Sequence, residues 1–295
     1  MTSLFTSARN FYSYQKERFP VVVLGLSFLP AILSSGAVVT GTAHFEFVTL
    51  ALVVSLAYLL HVRIIDEFRD YEHDLEHHKD RPLSVGIITL KDLRRIDWIA
   101  IIVVIVVATY SSSQALLIAL VMLIYSFLAR NEFFLGWKFR RHFYLYNAVN
   151  LVQMLLLQVL VYILATETFF FTTIIAMHFL FTATGTIIFD FLRKVKSPGQ
   201  DGTGQDTYTW FLGLGNALLV YAAFATVNIT LFVKIMTVIQ TTPSYWIPIA
   251  ISLVVGTFGM LLVHQSRKEE KTNQLMQLSF MVMYGSFNIL IFLAI

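Results

Sequence analysis

The 295 residues are 57% hydrophobic and 13% charged, against roughly 25% charged in a soluble domain. That excludes bulk water as the main solvent. The net charge is only +3 and cysteine is absent, which excludes a disulfide framework and a thiolate metal site; nucleic acid is not among the expected partners.

A helix needs roughly 20 residues to cross a hydrocarbon core. In chain order the apolar runs predict nine spans: Pro20–Thr40, Phe45–Ile65, Trp98–Tyr110, Gln114–Ala129, Phe143–Ala165, Phe169–Phe189, Thr209–Phe232, Trp246–His264 and Leu275–Ala294. The third and fourth are short and joined by Ser111-Ser112-Ser113. The expected fold class is therefore an all-α, polytopic membrane helix bundle. The first 19 residues lack the short apolar core of a cleaved signal peptide, so no cleavage is expected.

Lys and Arg fix the expected orientation. Arg9, Lys16 and Arg18, then Arg63 to Arg95, Arg130 to Arg141, Arg193 to Lys196, and Arg267 to Lys271 fall on one side. The opposite loops hold only Lys234. An odd number of spans gives this alternation, with the N-terminus cytoplasmic.

Two loops on the basic side stand apart, Asp66 to Asp97 and Asp190 to Tyr208. Each opens on acid where an apolar helix surfaces, then carries basic residues and a proline. They lie four helices apart, which suggests an internal duplication. In the first, Thr89-Leu90-Lys91-Asp92 has capping-box spacing and predicts a helix running into the third span. Pro82 and Gly86 end the helix before it. In the second, Ser197-Pro198-Gly199 and Gly202-Thr203-Gly204 exclude regular helix.

Glu67, Asp70 and Asp74 sit at i, i+3 and i+7, on one helical face, with Asp66 on its flank. Like charges one turn apart repel, more strongly where less water screens them, so a cation belongs among them. Carboxylate oxygens favour a hard ion, and one or two carboxylates with substrate phosphates are a usual Mg²⁺ arrangement. The competing reading is a solvated helix end whose acids pair with Arg63 and Arg69. His73-x-x-x-His77-His78 has the look of a di-iron box, but the other histidines are scattered singly. Asn147, Asn150 and Gln158 on the fifth span either orient an acceptor or bond between helices.

Asp66-Glu67-x-x-Asp70-x-x-x-Asp74, followed by Asp80-Arg81-Pro82-Leu83, resembles the N-D-x-x-D-x-x-x-D motif and R-P pair of the UbiA superfamily of intramembrane prenyltransferases. Arg18-Phe19-Pro20 is similar to that family's entry to its first helix. Tyr125-x-x-x-x-Arg130 resembles the tyrosine and arginine after its fourth. The resemblance covers nearly the whole chain as one domain, 1–295, and implies nine helices around a central cavity, with loops 66–97 and 190–208 forming the active-site mouth.

Two departures stand out. Asp66 and Glu67 replace Asn and Asp, and keep oxygen ligands. The second motif, D-x-x-x-D, is altered, since Asp190 is followed at the fourth position by Lys194. Asp201 supplies the missing ligand, or Arg193 and Lys194 hold the diphosphate directly, or Asp190 and Lys194 form a plain ion pair. Asp206 lies further on.

The resemblance implies Mg²⁺ on Asp66, Glu67, Asp70, Asp74, Asp190 and Asp201. It implies a prenyl diphosphate held by Arg18, Arg81, Tyr125, Arg130, Arg193 and Lys194. Asp70, Asp74, Arg130, Asp190 and Lys194 carry the chemistry, and an aromatic or lipophilic acceptor receives the prenyl group within the membrane lipid. A terpene cyclase of the same fold, with no acceptor, is the alternative. A transporter is disfavoured, because its sites lie near the midplane.

Overall fold

The computed structural model describes residues 2–136, 142–166, 169–199, 207–239 and 245–295. Its helices are α1 (Thr2–Arg18), α2 (Val21–Thr40), α3 (Phe45–Arg69), α4 (Tyr71–His77), α5 (Leu90–Ser111), α6 (Ser113–Arg130), α7 (Phe143–Leu164), α8 (Thr173–Arg193), α9 (Tyr208–Ile239), α10 (Trp246–Arg267) and α11 (Glu270–Ala294). A 3₁₀ turn, Glu132–Phe134, follows α6.

Among the described residues, eight helices are long and apolar enough to cross a membrane: α2, α3 and α6 to α11. The remaining long helix, α5, accounts for the difference from nine spans. It has 22 residues, but Lys91, Asp92, Arg94, Arg95 and Asp97 charge its first two turns. Its uninterrupted apolar part begins only at Trp98, shorter than the roughly 20 residues of an ordinary span. The chain is an integral, multi-pass membrane protein.

The described residues divide into two compact units. The first is Met1–Ile32 with His44–Phe169; the second is Leu33–Ala43 with Phe170–Ile295. In the first, α3 packs on α5, α5 on α6, α6 on α7 and α7 back on α3. In the second, α8 packs on α9, α9 on α10, α10 on α11 and α11 back on α8. Each unit is thus a closed circuit of four helices in one order.

In the first unit, Thr89 caps α5 as its spacing predicts: Thr89 Oγ1 accepts from Asp92 N at 3.2 Å, and Thr89 N donates to Asp92 Oδ2 at 3.3 Å. The turn before it is fastened to the core. Tyr14, Ile64, Leu83, Ile88 and Leu93 form one buried cluster, with Phe11, Phe68 and Tyr71 against it. The carbonyl of Pro82 accepts from Ile87 N (2.9 Å) and Ile88 N (3.4 Å). Gly86 takes φ +77°, a left-handed conformation that a side chain would strain.

The second unit is held by buried polar bonds as well as aromatic packing. His178 Nε2 donates to Ser34 Oγ (2.9 Å), which donates to Asn288 Oδ1 (2.7 Å). Asn228 Nδ2 donates to Phe181 O and Thr184 Oγ1, both at 2.8 Å. Such groups have no water to turn to in a bilayer, so they must find one another. α8 and α11 approach so closely at Gly185 that a methyl group there would overlap the Tyr284 ring.

Candidate functional site

The acids of the first unit lie where α3 ends. α3 stops at Arg69; Asp70 caps it with φ −97° and ψ 6°, and α4 starts at Tyr71. The single face expected for Glu67, Asp70 and Asp74 is therefore broken at Asp70, because the chain leaves helical geometry there. Two kinds of acid result.

Glu67 and Asp74 are buried, at 2% and 4% exposure. Glu67 Oε1 accepts from Arg18 Nε at 3.0 Å and from Arg63 Nη2 at 2.8 Å. Asp74 forms a close ion pair with Arg81, and Ser84 Oγ donates to its backbone carbonyl at 3.3 Å. Burial, reinforced by the Glu67 carboxylate, pushes the neighbouring Tyr14 hydroxyl above the ordinary tyrosine range.

Asp66 and Asp70 are accessible, with side chains 33% and 40% exposed. They share one cation. Arg69 Nη2 donates to Asp66 Oδ1 at 2.6 Å, and Arg69 Nε donates to Asp70 Oδ1 at 3.3 Å. The guanidinium carbon also lies 5.1 Å from the centroid of the Tyr146 ring on α7.

Arg63 and Arg69 thus pair with acids as the competing sequence reading held. Arg18 and Arg81, expected at a diphosphate, also rest on carboxylates. Arg130 lies over the Phe68 ring, 4.7 Å from its centroid. The Tyr125 hydroxyl donates to Val149 O at 2.8 Å, and its ring meets Phe133 edge-on at 5.5 Å.

In the second unit, α8 ends on Asp190, Arg193 and Lys194. Arg193 Nη2 donates to Asp190 Oδ1 at 2.9 Å and Lys194 Nζ to Oδ2 at 3.0 Å, so the i, i+4 pair exists. Two α11 side chains fasten the terminus: Gln277 Nε2 donates to Leu192 O (3.1 Å) and Asn273 Nδ2 to Val195 O (2.9 Å). Thr209 Oγ1 accepts from Lys196 N at 2.7 Å. Asp201 and Asp206 lie outside the described residues.

Among the described residues, no three histidine, aspartate or glutamate side chains converge as a ready-made ion cage. That includes the histidines of α4, although the His73 and His77 rings lie 4.4 Å apart. Mg²⁺ asks for less, since it keeps several waters and takes one or two carboxylates plus phosphate oxygens. Asp66 and Asp70 meet that requirement in donor chemistry and access. Glu67 and Asp74 are already engaged where water scarcely reaches.

The sequence reading missed one polar group altogether. His61 Nδ1 lies 2.6 Å from Asp97 Oδ1, and its Nε2 lies 2.8 Å from Ser126 Oγ, all three buried. They join α3, α5 and α6. No short spacing links residues this far apart in the chain; the one available signal was a histidine inside an apolar span.

These features define a class: an all-helical, multi-pass membrane protein with a carboxylate–arginine network at a helix end. No family model matches the sequence, and no curated protein does either. Solved structures do. A UbiA homologue from Aeropyrum pernix K1, in its apo form, matches with TM-score 0.60 at 13% identity, covering 90% of this chain and 97% of that one. A digeranylgeranylglyceryl phosphate synthase matches with TM-score 0.60 at 14% identity, over 97% and 100%. A UbiA homologue from Archaeoglobus fulgidus bound to DMAPP and Mg²⁺ matches with TM-score 0.57 at 16% identity, over 96% and 99%. The chain shares the fold of these structures.

Proposed function

We propose that the chain is a Mg²⁺-dependent intramembrane prenyltransferase, ionising a prenyl diphosphate and passing the prenyl group to an aromatic or lipophilic acceptor. One observation carries this reading: two accessible carboxylates, Asp66 and Asp70, close α3 beside a set of arginines. The fold supports it, since one Archaeoglobus fulgidus homologue was solved with DMAPP and Mg²⁺ and again with GPP and Mg²⁺.

In this reading the allylic C–O bond breaks with its electron pair leaving on the diphosphate. The allylic cation is captured by the acceptor, which then loses a proton. Bound Mg²⁺ supplies fixed positive charge to the leaving group. Asp66 and Asp70 hold the ion. Glu67 positions Arg18 and Arg63, and Asp74 positions Arg81. In the first unit Arg18, Arg81 and Arg130, with Tyr125, are the candidate partners of a diphosphate; in the second, Arg193 and Lys194 on Asp190 are candidates by themselves. Such preorganised charge is usually the largest catalytic contribution. The whole chain acts as one domain with its N-terminus in the cytoplasm, following the bias of Lys and Arg.

A second reading, cyclisation of the prenyl chain without an acceptor, is favoured by the altered second motif, in which Lys194 bonds Asp190. One assay separates the two. Protein in lipid receives DMAPP, GPP and longer prenyl diphosphates with Mg²⁺, with and without aromatic acceptors. A prenylated acceptor is the expected product; a hydrocarbon or terpene alcohol formed without acceptor establishes the cyclase. Diphosphate release that persists undiminished in EDTA overturns the role of Mg²⁺.

A further inference from the structure

We propose that Arg69 is a built-in counter-cation that a divalent ion must displace, so that the ion loads together with a diphosphate rather than ahead of it. The inference rests on the reading of Asp66 and Asp70 as the ion's ligands. Its basis is geometric. Arg69 lies between the two acids in sequence and bonds Oδ1 of each, at 2.6 and 3.3 Å. The cation is the covered partner: its side chain is 7% exposed, against 33% and 40% for the acids. The Tyr146 ring gives the guanidinium a third anchor, on another helix.

Arginine suits this task because it keeps its charge at every attainable pH and its fork can hold two carboxylates at once. An ion arriving alone must take an oxygen from each acid while a guanidinium stays close by, and like charges a few ångströms apart repel strongly where water is scarce. A diphosphate removes that obstacle, because its oxygens accept the displaced guanidinium. The acids by themselves would bind an ion before substrate; with Arg69 between them they wait for it.

Mn²⁺ binding to the detergent-solubilised full chain, followed by electron paramagnetic resonance without substrate, tests this. Arg69→Gln is expected to bind Mn²⁺ at least about tenfold more tightly than the parent, the order expected from removing one close like charge. Added inorganic pyrophosphate should narrow the gap. Tyr146→Leu, which loosens the anchor but keeps the charge, is expected to tighten binding about threefold. It serves as the test if Arg69→Gln does not elute as folded protein. Unchanged affinity in the folded variants, with Asp70→Asn still weakening binding, overturns the role of Arg69 and leaves the ion site standing. Mn²⁺ binding indifferent to both Asp66→Asn and Asp70→Asn overturns the ion site itself.

Discussion

The two four-helix circuits end their leading helices in opposite electrostatic conditions. At the end of α3, four acids (Asp66, Glu67, Asp70 and Asp74) meet four arginines (Arg18, Arg63, Arg69 and Arg81). At the end of α8, one acid, Asp190, meets Arg193 and Lys194. Among the described residues, the first cluster is balanced and half buried; the second has cation in excess. A balanced cluster can accept a metal ion by exchanging one cation for another. A cationic one is suited to an anion.

Four experiments test that contrast. Asp70→Ala is expected to lower turnover at least about 100-fold, the size of a lost preorganised electrostatic contribution, with folded protein retained because the Asp70 side chain is partly open to solvent. Normal turnover would remove the first cluster from the chemistry. Next comes Lys194→Ala, expected to raise KM for the diphosphate about tenfold, the effect of a lost charge-assisted contact. An unchanged KM, with Asp190→Asn equally silent, would leave the second cluster a surface ion pair worth under about 1 kcal/mol.

Stability gives the other two. Glu67→Gln removes the countercharge of Arg18 and Arg63, and is expected to cost roughly 2–4 kcal/mol, near what breaking a buried pair costs, read as a lowered melting temperature in detergent. Gly185→Ala in the second unit is expected to cost about 1–3 kcal/mol by overpacking against Tyr284. If Glu67→Gln melts like the parent, the buried half of the first cluster does not hold α1 to α3. If Gly185→Ala melts like the parent, α8 and α11 do not touch as closely as the geometry requires.

How much was legible beforehand depends on how local each signal is. Thr89 and Asp92 are three residues apart, so their mutual capping follows from spacing alone. The membrane helices likewise follow from runs of one kind of residue. The acidic stripe was legible as a group but not as a geometry. That the helix stops at Asp70, and that Tyr71, Leu83 and Ile88 gather with Tyr14, are matters of packing that spacing does not encode. His61, Asp97 and Ser126 lie on three helices, and nothing in a linear pattern pairs them.

Apolar runs, the asymmetry of Lys and Arg and the gathering of acids at 66–74 are properties of the chain itself, because each depends on neighbours along it. Which acids are buried, which remain open, and that Arg69 lies between the open pair are decided only by tertiary structure. There, helices brought together set the dielectric around each carboxylate and choose the arginine that meets it.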